Sequence, residues 1–140
     1  MAKVLIAEDD ALIAATLEMG LSDSGYEVCG VAATIARAVE IAERHQPDLA
    51  VIDLNLARGE DGRELAARLN RSRRIGIAFA TGDLEPRLLV GAPGEVCLEK
   101  PFRIRDIVEA LRTVEHILRE GAPPARLPPG LHLISRGRAG

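Results

Sequence analysis

Reactive side chains gather at the ends of four short apolar runs. Glu8-Asp9-Asp10 follow Lys3–Ala7, Asp53 follows Leu49–Ile52, Thr81 follows Ile75–Ala80, and Lys100 lies just past Glu95–Leu98. Carboxylates brought together repel one another unless a positive charge sits among them, and hard oxygen ligands of this kind suit Mg²⁺. Mg²⁺ takes one or two protein carboxylates and keeps its other positions for water and phosphate oxygens. The chemistry this predicts is phosphoryl transfer, with Asp53 as nucleophile and Lys100 as the cation facing the phosphoryl oxygens. Thr81 adds a hydroxyl that can bond a phosphoryl oxygen and so turn local charge into movement of its loop.

Singly, each residue has a plainer explanation. Glu8, Asp9 or Asp10 can cap the helix that follows, where acidic groups favour the positive end of the dipole. Asp53 can be a turn residue, and Thr81 and Lys100 ordinary surface groups. Their joint occurrence at four run ends is what predicts a pocket.

The elements that must bring them together are legible as five apolar runs alternating with helical periods. Glu27–Val31 supplies the second run, between the two carrying the first acidic group and Asp53. Helical spacing appears at Ala11–Leu21, Ala36–Ala42, Arg63–Leu69 and, over about four turns, from Ile104 to Leu118. Strands alternating with helices predict an α/β fold, a doubly wound five-stranded parallel sheet with right-handed crossovers. Ligands of such sheets bind beyond the carboxyl ends of the strands, where the reactive residues fall.

Hydrophobic residues make up 47% of the 140 but aromatics only 2%, so the core must be built from Ala, Val, Leu and Ile. The net charge of −3 calls for neither nucleic acid nor an anionic membrane as partner. No signal peptide or membrane-spanning stretch is visible, and a cytoplasmic location is expected. Residues 1–118 form the predicted domain. Residues 119–140, with four Arg to one Glu and two Pro-Pro pairs, are expected to be a flexible tail, with docking through Leu131, Leu133 and Ile134 as the second possibility.

The motifs Val-Leu-Ile-Ala-Glu-Asp-Asp at 4–10, Ala-Val-Ile-Asp-Leu-Asn-Leu at 50–56, Thr81-Gly82 and Glu-Lys-Pro-Phe at 99–102 occur in order. In this the chain resembles the receiver domain of bacterial two-component response regulators, from about Lys3 to Leu118. The resemblance implies a flavodoxin-like fold with strand order 2-1-3-4-5 and Asp53 as phosphoacceptor. It implies Mg²⁺ held by Asp9, Asp53 and the Asn55 backbone carbonyl, with Glu8 acting through water. Lys100 becomes the phosphate-contacting lysine, before a Lys100-Pro101 bond commonly cis in the family. The strand order puts Cys29 and Cys97 on opposite edges, as unpaired thiols.

Two departures from the family pattern bear on the switch. Cys97 stands where many receivers carry a swinging aromatic. Pro86, Gly91, Pro93 and Gly94 break the fourth helix down to about Glu85–Val90. Phe79-Ala80-Thr81-Gly82 is similar to an atypical subclass named for a Phe-Ala-Thr-Gly-hydrophobic-Tyr motif (FATGUY), although Asp83-Leu84 replaces its last pair. That kinship implies an HWE-type histidine kinase as partner.

The expected function is a stand-alone receiver, phosphorylated by a histidine kinase or phosphotransfer protein and signalling through protein contacts, as effector, relay or sink. With about 20 residues after the last helix, no DNA-binding output is expected. Dimerisation stays open. The alternatives are a pseudo-receiver working without phosphate, or a haloacid-dehalogenase-like phosphohydrolase. The hydrolase needs a second acid two residues after Asp53, where Asn55 stands.

Overall fold

The computed structural model describes residues 1–134. Strands β1 (Lys3–Ala7), β2 (Glu27–Ala32), β3 (Leu49–Asp53), β4 (Gly76–Thr81) and β5 (Val96–Glu99) run parallel in the order β2-β1-β3-β4-β5. Every residue of β3 and β4 is buried, which is why those runs are apolar throughout rather than alternating. Helices α1 (Ala11–Asp23) and α5 (Ile104–Glu120) cover one face, while α2 (Ile35–His45) and α3 (Gly62–Leu69) cover the other.

Local chemistry sets the helix boundaries. Asp10 Oδ1 accepts from the N–H groups of Leu12 and Ile13, Thr34 caps α2, and Asp61 caps α3. Gln46, in a left-handed conformation before Pro47, stops α2. Between β4 and β5 only Pro86–Leu89 is helical (α4), a single turn, as the prolines and glycines there dictate.

The expectation of a flexible tail over 119–140 is corrected for its described part. Helix α5 continues to Glu120, and the chain returns to form β6 (Leu131–Leu133), antiparallel to β5. Among the described residues the sheet thus keeps the five expected parallel strands and adds a sixth, so Cys97 lies on an internal strand instead of an edge. The apolar pattern of Leu131 and Ile134, both buried, outweighs the prolines that precede them. Leu133, the third residue of the docking alternative, stays partly exposed. The end of the tail, with Arg136 and Arg138, lies outside the described residues.

Both cysteines are free. Four inter-strand steps separate β2 from β5, about 19 Å at the usual strand spacing and far beyond disulfide reach. Burial pushes the half-buried Cys29 thiol above its usual value and the fully buried Cys97 thiol up to about 12. At pH 8 iodoacetamide should carbamidomethylate Cys97 at least about 100-fold more slowly in the native protein than in guanidinium, as read by peptide mass. Equal rates would mean that β5 is not enclosed. Among the described residues no helix is long and apolar enough to cross a membrane.

Candidate functional site

Parallel strands end on the same side of the sheet, so β1, β3 and β5 deliver Glu8, Asp53 and Lys100 to one place. Carboxylate oxygens of Glu8, Asp9 and Asp53 all lie within 4.8 Å of one another. Glu8 and Asp53 are buried, at 4% and 6% exposure, while Asp9 faces solvent. Lys100 Nζ bridges the buried pair, donating to Glu8 Oε1 at 2.7 Å and to Asp53 Oδ2 at 2.6 Å.

The electrostatics follow from that arrangement. Burial pushes Glu8 up to about 7, with the Lys100 hydrogen bond opposing the shift and the neighbouring Asp53 adding to it. Burial alone would depress the Lys100 ammonium, but its bonds to Asp53 and Glu8 outweigh this and hold it above its ordinary value. The pocket is thus acidic, with two of its three carboxylates buried and both bonded to one lysine.

The β3–α3 loop fixes Asp53. The Asn55 N–H donates to Asp53 Oδ1 at 2.9 Å, and Asn55 forms an isolated bridge with Asp61. The Gly62 N–H donates to the Leu54 carbonyl at 2.9 Å. A Cβ on Gly62 would come within 2.2 Å of the Asp53 carbonyl oxygen, so α3 begins directly against the acceptor's backbone. Asp61 holds Arg63 through its side chain, and that ion pair keeps the Asp61 carboxyl below its usual range. The roles of Gly62 and Asp61 were not read from the sequence, although a glycine at a predicted helix start near Asp53 was an available signal.

The other predicted residues divide. Thr81 is buried beside β5, and its carbonyl accepts from the Lys100 N–H at 2.8 Å. Its hydroxyl is engaged locally, accepting from the Asp83 N–H at 3.1 Å and donating to the Asp83 carbonyl at 3.3 Å. Asp10 belongs to the cap of α1, and its N–H donates to Glu8 Oε2 at 3.1 Å. The Lys100-Pro101 bond is cis. Beside the pocket an apolar groove of about 410 Å³ lies between α1 and the β5–α5 loop, lined by Leu12, Thr16, Pro101, Phe102 and Ile104 with Lys100.

A doubly wound α/β domain with an acid pocket and a lysine at its strand ends is the class these features define. Within it, the response regulator receiver domain family model matches residues 4–112. The chain belongs to that family, whose members are signalling modules of two-component systems that bind Mg²⁺ through acidic residues. It is 38% identical over 122 residues to the transcriptional regulatory protein PdtaR of Mycobacterium tuberculosis, covering 84% of this chain and 58% of PdtaR. It is 36% identical over 104 residues to the phyllosphere-induced regulator PhyR of Methylorubrum extorquens, covering 72% of this chain and 39% of PhyR. The chain thus spans a little over half of the first relative and less of the second.

Solved structures agree on the fold. The signal receiver domain of a modulated diguanylate cyclase from Desulfovibrio desulfuricans superposes with a TM-score of 0.73 at 31% identity, covering 87% of this chain and 99% of that one. A CheY-like receiver domain protein from Methanospirillum hungatei gives a TM-score of 0.76 at 25% identity, covering 86% and 99%.

Proposed function

We propose that this chain accepts a phosphoryl group on Asp53 from a histidine kinase or phosphotransfer protein, in a Mg²⁺-dependent reaction, and signals through contacts with other proteins. The observation that carries this is Lys100 Nζ lying between the buried carboxylates of Glu8 and Asp53, with Asp9 at the solvent side. Three converging carboxylates are a hard-oxygen donor set that fits Mg²⁺, held by Asp9, Asp53 and the Asn55 carbonyl, with Glu8 through water. When bound, the ion neutralises phosphoryl oxygens and screens the carboxylates from one another.

The chain's own residues do the rest. A carboxylate oxygen of Asp53 attacks phosphorus, the bond from phosphorus to the donor nitrogen breaks, and an acyl phosphate forms. The Asn55 N–H keeps the Asp53 carboxylate oriented through Oδ1. Lys100, already bonded to Asp53, passes to a phosphoryl oxygen. To reach the same group, the Thr81 hydroxyl must give up its contacts with Asp83, which moves the turn at the end of β4. With Cys97 buried in place of an aromatic, that turn and the single-turn α4 after it are the parts left to report the change. Water later cleaves the acyl phosphate, so the protein turns over only its own Asp53 and is no substrate enzyme.

The groove beside Lys100, with its apolar walls and exposed Leu12, supports a helical face of a phosphodonor protein as the group that docks there. Phe79-Ala80-Thr81-Gly82, together with the similarity to PhyR, supports kinship with the FATGUY subclass and an HWE-type kinase as donor. A PhyR structure from Bartonella quintana is described as an anti-anti-sigma factor, and this chain covers 50% of it. A receiver working with such a kinase acts in the cytoplasm.

Intact mass after incubation with Mg²⁺ and acetyl phosphate tests the proposal. The wild type is expected to gain about 80 Da, the mass of one phosphoryl group, and Asp53→Asn to gain nothing. A wild type that binds Mg²⁺ yet gains no mass would make the protein a pseudo-receiver.

A further inference from the structure

The last described element is built like a ligand. Gly121, at φ 78°, ends α5. Residues 121–130 carry Pro123, Pro124, Pro128 and Pro129 along the outer side of α5 and turn at Gly130 into β6. Leu131 joins the core on the α1–α5 side of the sheet, and Ile134 joins the core on the opposite side. Between them His132 Nε2 meets Glu99 Oε1 at 2.6 Å. The Ile134 N–H donates to the Glu95 carbonyl at 3.0 Å, and the Glu99 N–H to the Gly130 carbonyl at 3.3 Å.

The hold on this segment is weak for a core strand. It pairs over three residues, and the His132–Glu99 contact is exposed, where such contacts contribute little. A groove of about 280 Å³ lies beside Leu133, Ile134 and Glu95, where a core strand would be close-packed. Segments with few buried contacts open well before the global fold does. Once opened, β5 presents an edge of free N–H and C=O groups, two vacated apolar seats and the Glu99 carboxylate.

We propose that the outer edge of β5 is a strand-docking surface held at rest by residues 131–134. Its other occupant is an extended segment of a partner protein, with two apolar side chains three residues apart and a basic residue directly after the first. Backbone pairing would supply affinity, the seats of Leu131 and Ile134 would select the apolar pair, and Glu99 would select the basic residue. The site lies next to the pocket: Glu99 precedes Lys100, whose N–H is bonded to Thr81.

The test uses the full chain and no phosphodonor, so its outcome is independent of Asp53 chemistry. A fluorescent peptide copying residues 128–134 is titrated into the wild type and into Leu131→Asp/Ile134→Asp, whose own strand cannot seat. Saturable binding at least about tenfold tighter to the variant is expected, because the wild-type edge is free only for the fraction of time its strand is released. Replacing the peptide residues that copy Leu131 and Ile134 by Asp should abolish binding, and replacing its His by Glu should weaken it.

Hydrogen exchange on the wild type reads the release directly. The Glu99 and Ile134 amides should exchange well before the core amides of β3. Exchange of those two amides only together with the core would overturn the proposal. So would absence of peptide binding to a variant that still unfolds cooperatively. If the variant does not fold, the exchange experiment decides.

Discussion

Lys100→Met should leave a protein that no longer gains phosphate at a measurable rate and that is markedly less stable above pH 7 in the absence of Mg²⁺. The side chains of Glu8 and Asp53 are 3% and 8% exposed, and Lys100 is the cation bonded to both. Removing one partner of a buried ion pair costs about 3–5 kcal/mol, because the remaining charges are left uncompensated. For a domain whose whole stability is about 5–15 kcal/mol, a loss of that size is easily seen. Loss of the cation facing the phosphoryl oxygens should slow labelling by acetyl phosphate at least about 100-fold.

The pH dependence has a definite sign. Glu8 in the folded, metal-free protein already binds its proton more tightly than an ordinary glutamate, its pKa pushed up to about 7 mainly by burial. Between the ordinary glutamate range and that value the folded state holds a proton the unfolded chain has released, so stability contributed by protonation is lost as pH rises through 7. Without Lys100 the effect strengthens. Urea midpoints of the variant should fall from pH 5.5 to pH 8 more steeply than those of the wild type, and millimolar Mg²⁺ should recover part of the loss. Equal midpoints for variant and wild type at pH 8 without Mg²⁺ would show that Lys100 does not neutralise the pocket.

Gly62→Ala is expected to damage the site through space alone. The added Cβ would meet the Asp53 carbonyl oxygen at 2.2 Å and the Ile52 Cγ2 at 2.9 Å, and neither backbone nor a buried branched side chain yields easily. Helix α3 must move off β3, at a cost of about 1–3 kcal/mol typical of overpacking. The shift should disturb the Asn55 N–H bond that orients Asp53 and slow phosphorylation about tenfold. Gly59→Ala is the control: Gly59 has φ 71° and nothing within 4 Å of the added atom, so it carries only backbone strain. Thermal unfolding and acetyl phosphate labelling of both variants separate the effects. A Gly62→Ala protein that labels at the wild-type rate would remove α3 from any part in holding Asp53.

Much of this arrangement was legible in the residues. The β-branched and apolar runs at 49–52 and 75–80 read as buried strands, and the structure ends each one residue later, at Asp53 and Thr81, with the second also starting one later, at Gly76. The long amphipathic period from Ile104 was readable as a helix, and the breakers between Pro86 and Gly94 as its shortened predecessor. What stayed hidden were relations between distant residues. That Lys100 bonds Glu8 as well as Asp53 depends on how the end of β5 is positioned across β4 and β3. That the Thr81 hydroxyl rests on Asp83 depends on the turn after β4. Composition argued against a sixth strand, because Pro-Pro pairs resemble a solvated tail until the seats for Leu131 and Ile134 are in view.

The sequence by itself determined the kind of chain this is: short apolar runs alternating with segments of 3.6-residue period dictate a wound parallel sheet, and parallel strands put Glu8, Asp9, Asp53, Thr81 and Lys100 at one end of it. Those outcomes follow from local patterning, which acts over a few residues. Only the tertiary structure decided which carboxylates are buried together, which lysine contacts neutralise them, how closely α3 presses on Asp53 and where residues 131–134 go. Each of these depends on distances between elements far apart in the chain, fixed by close packing across the sheet.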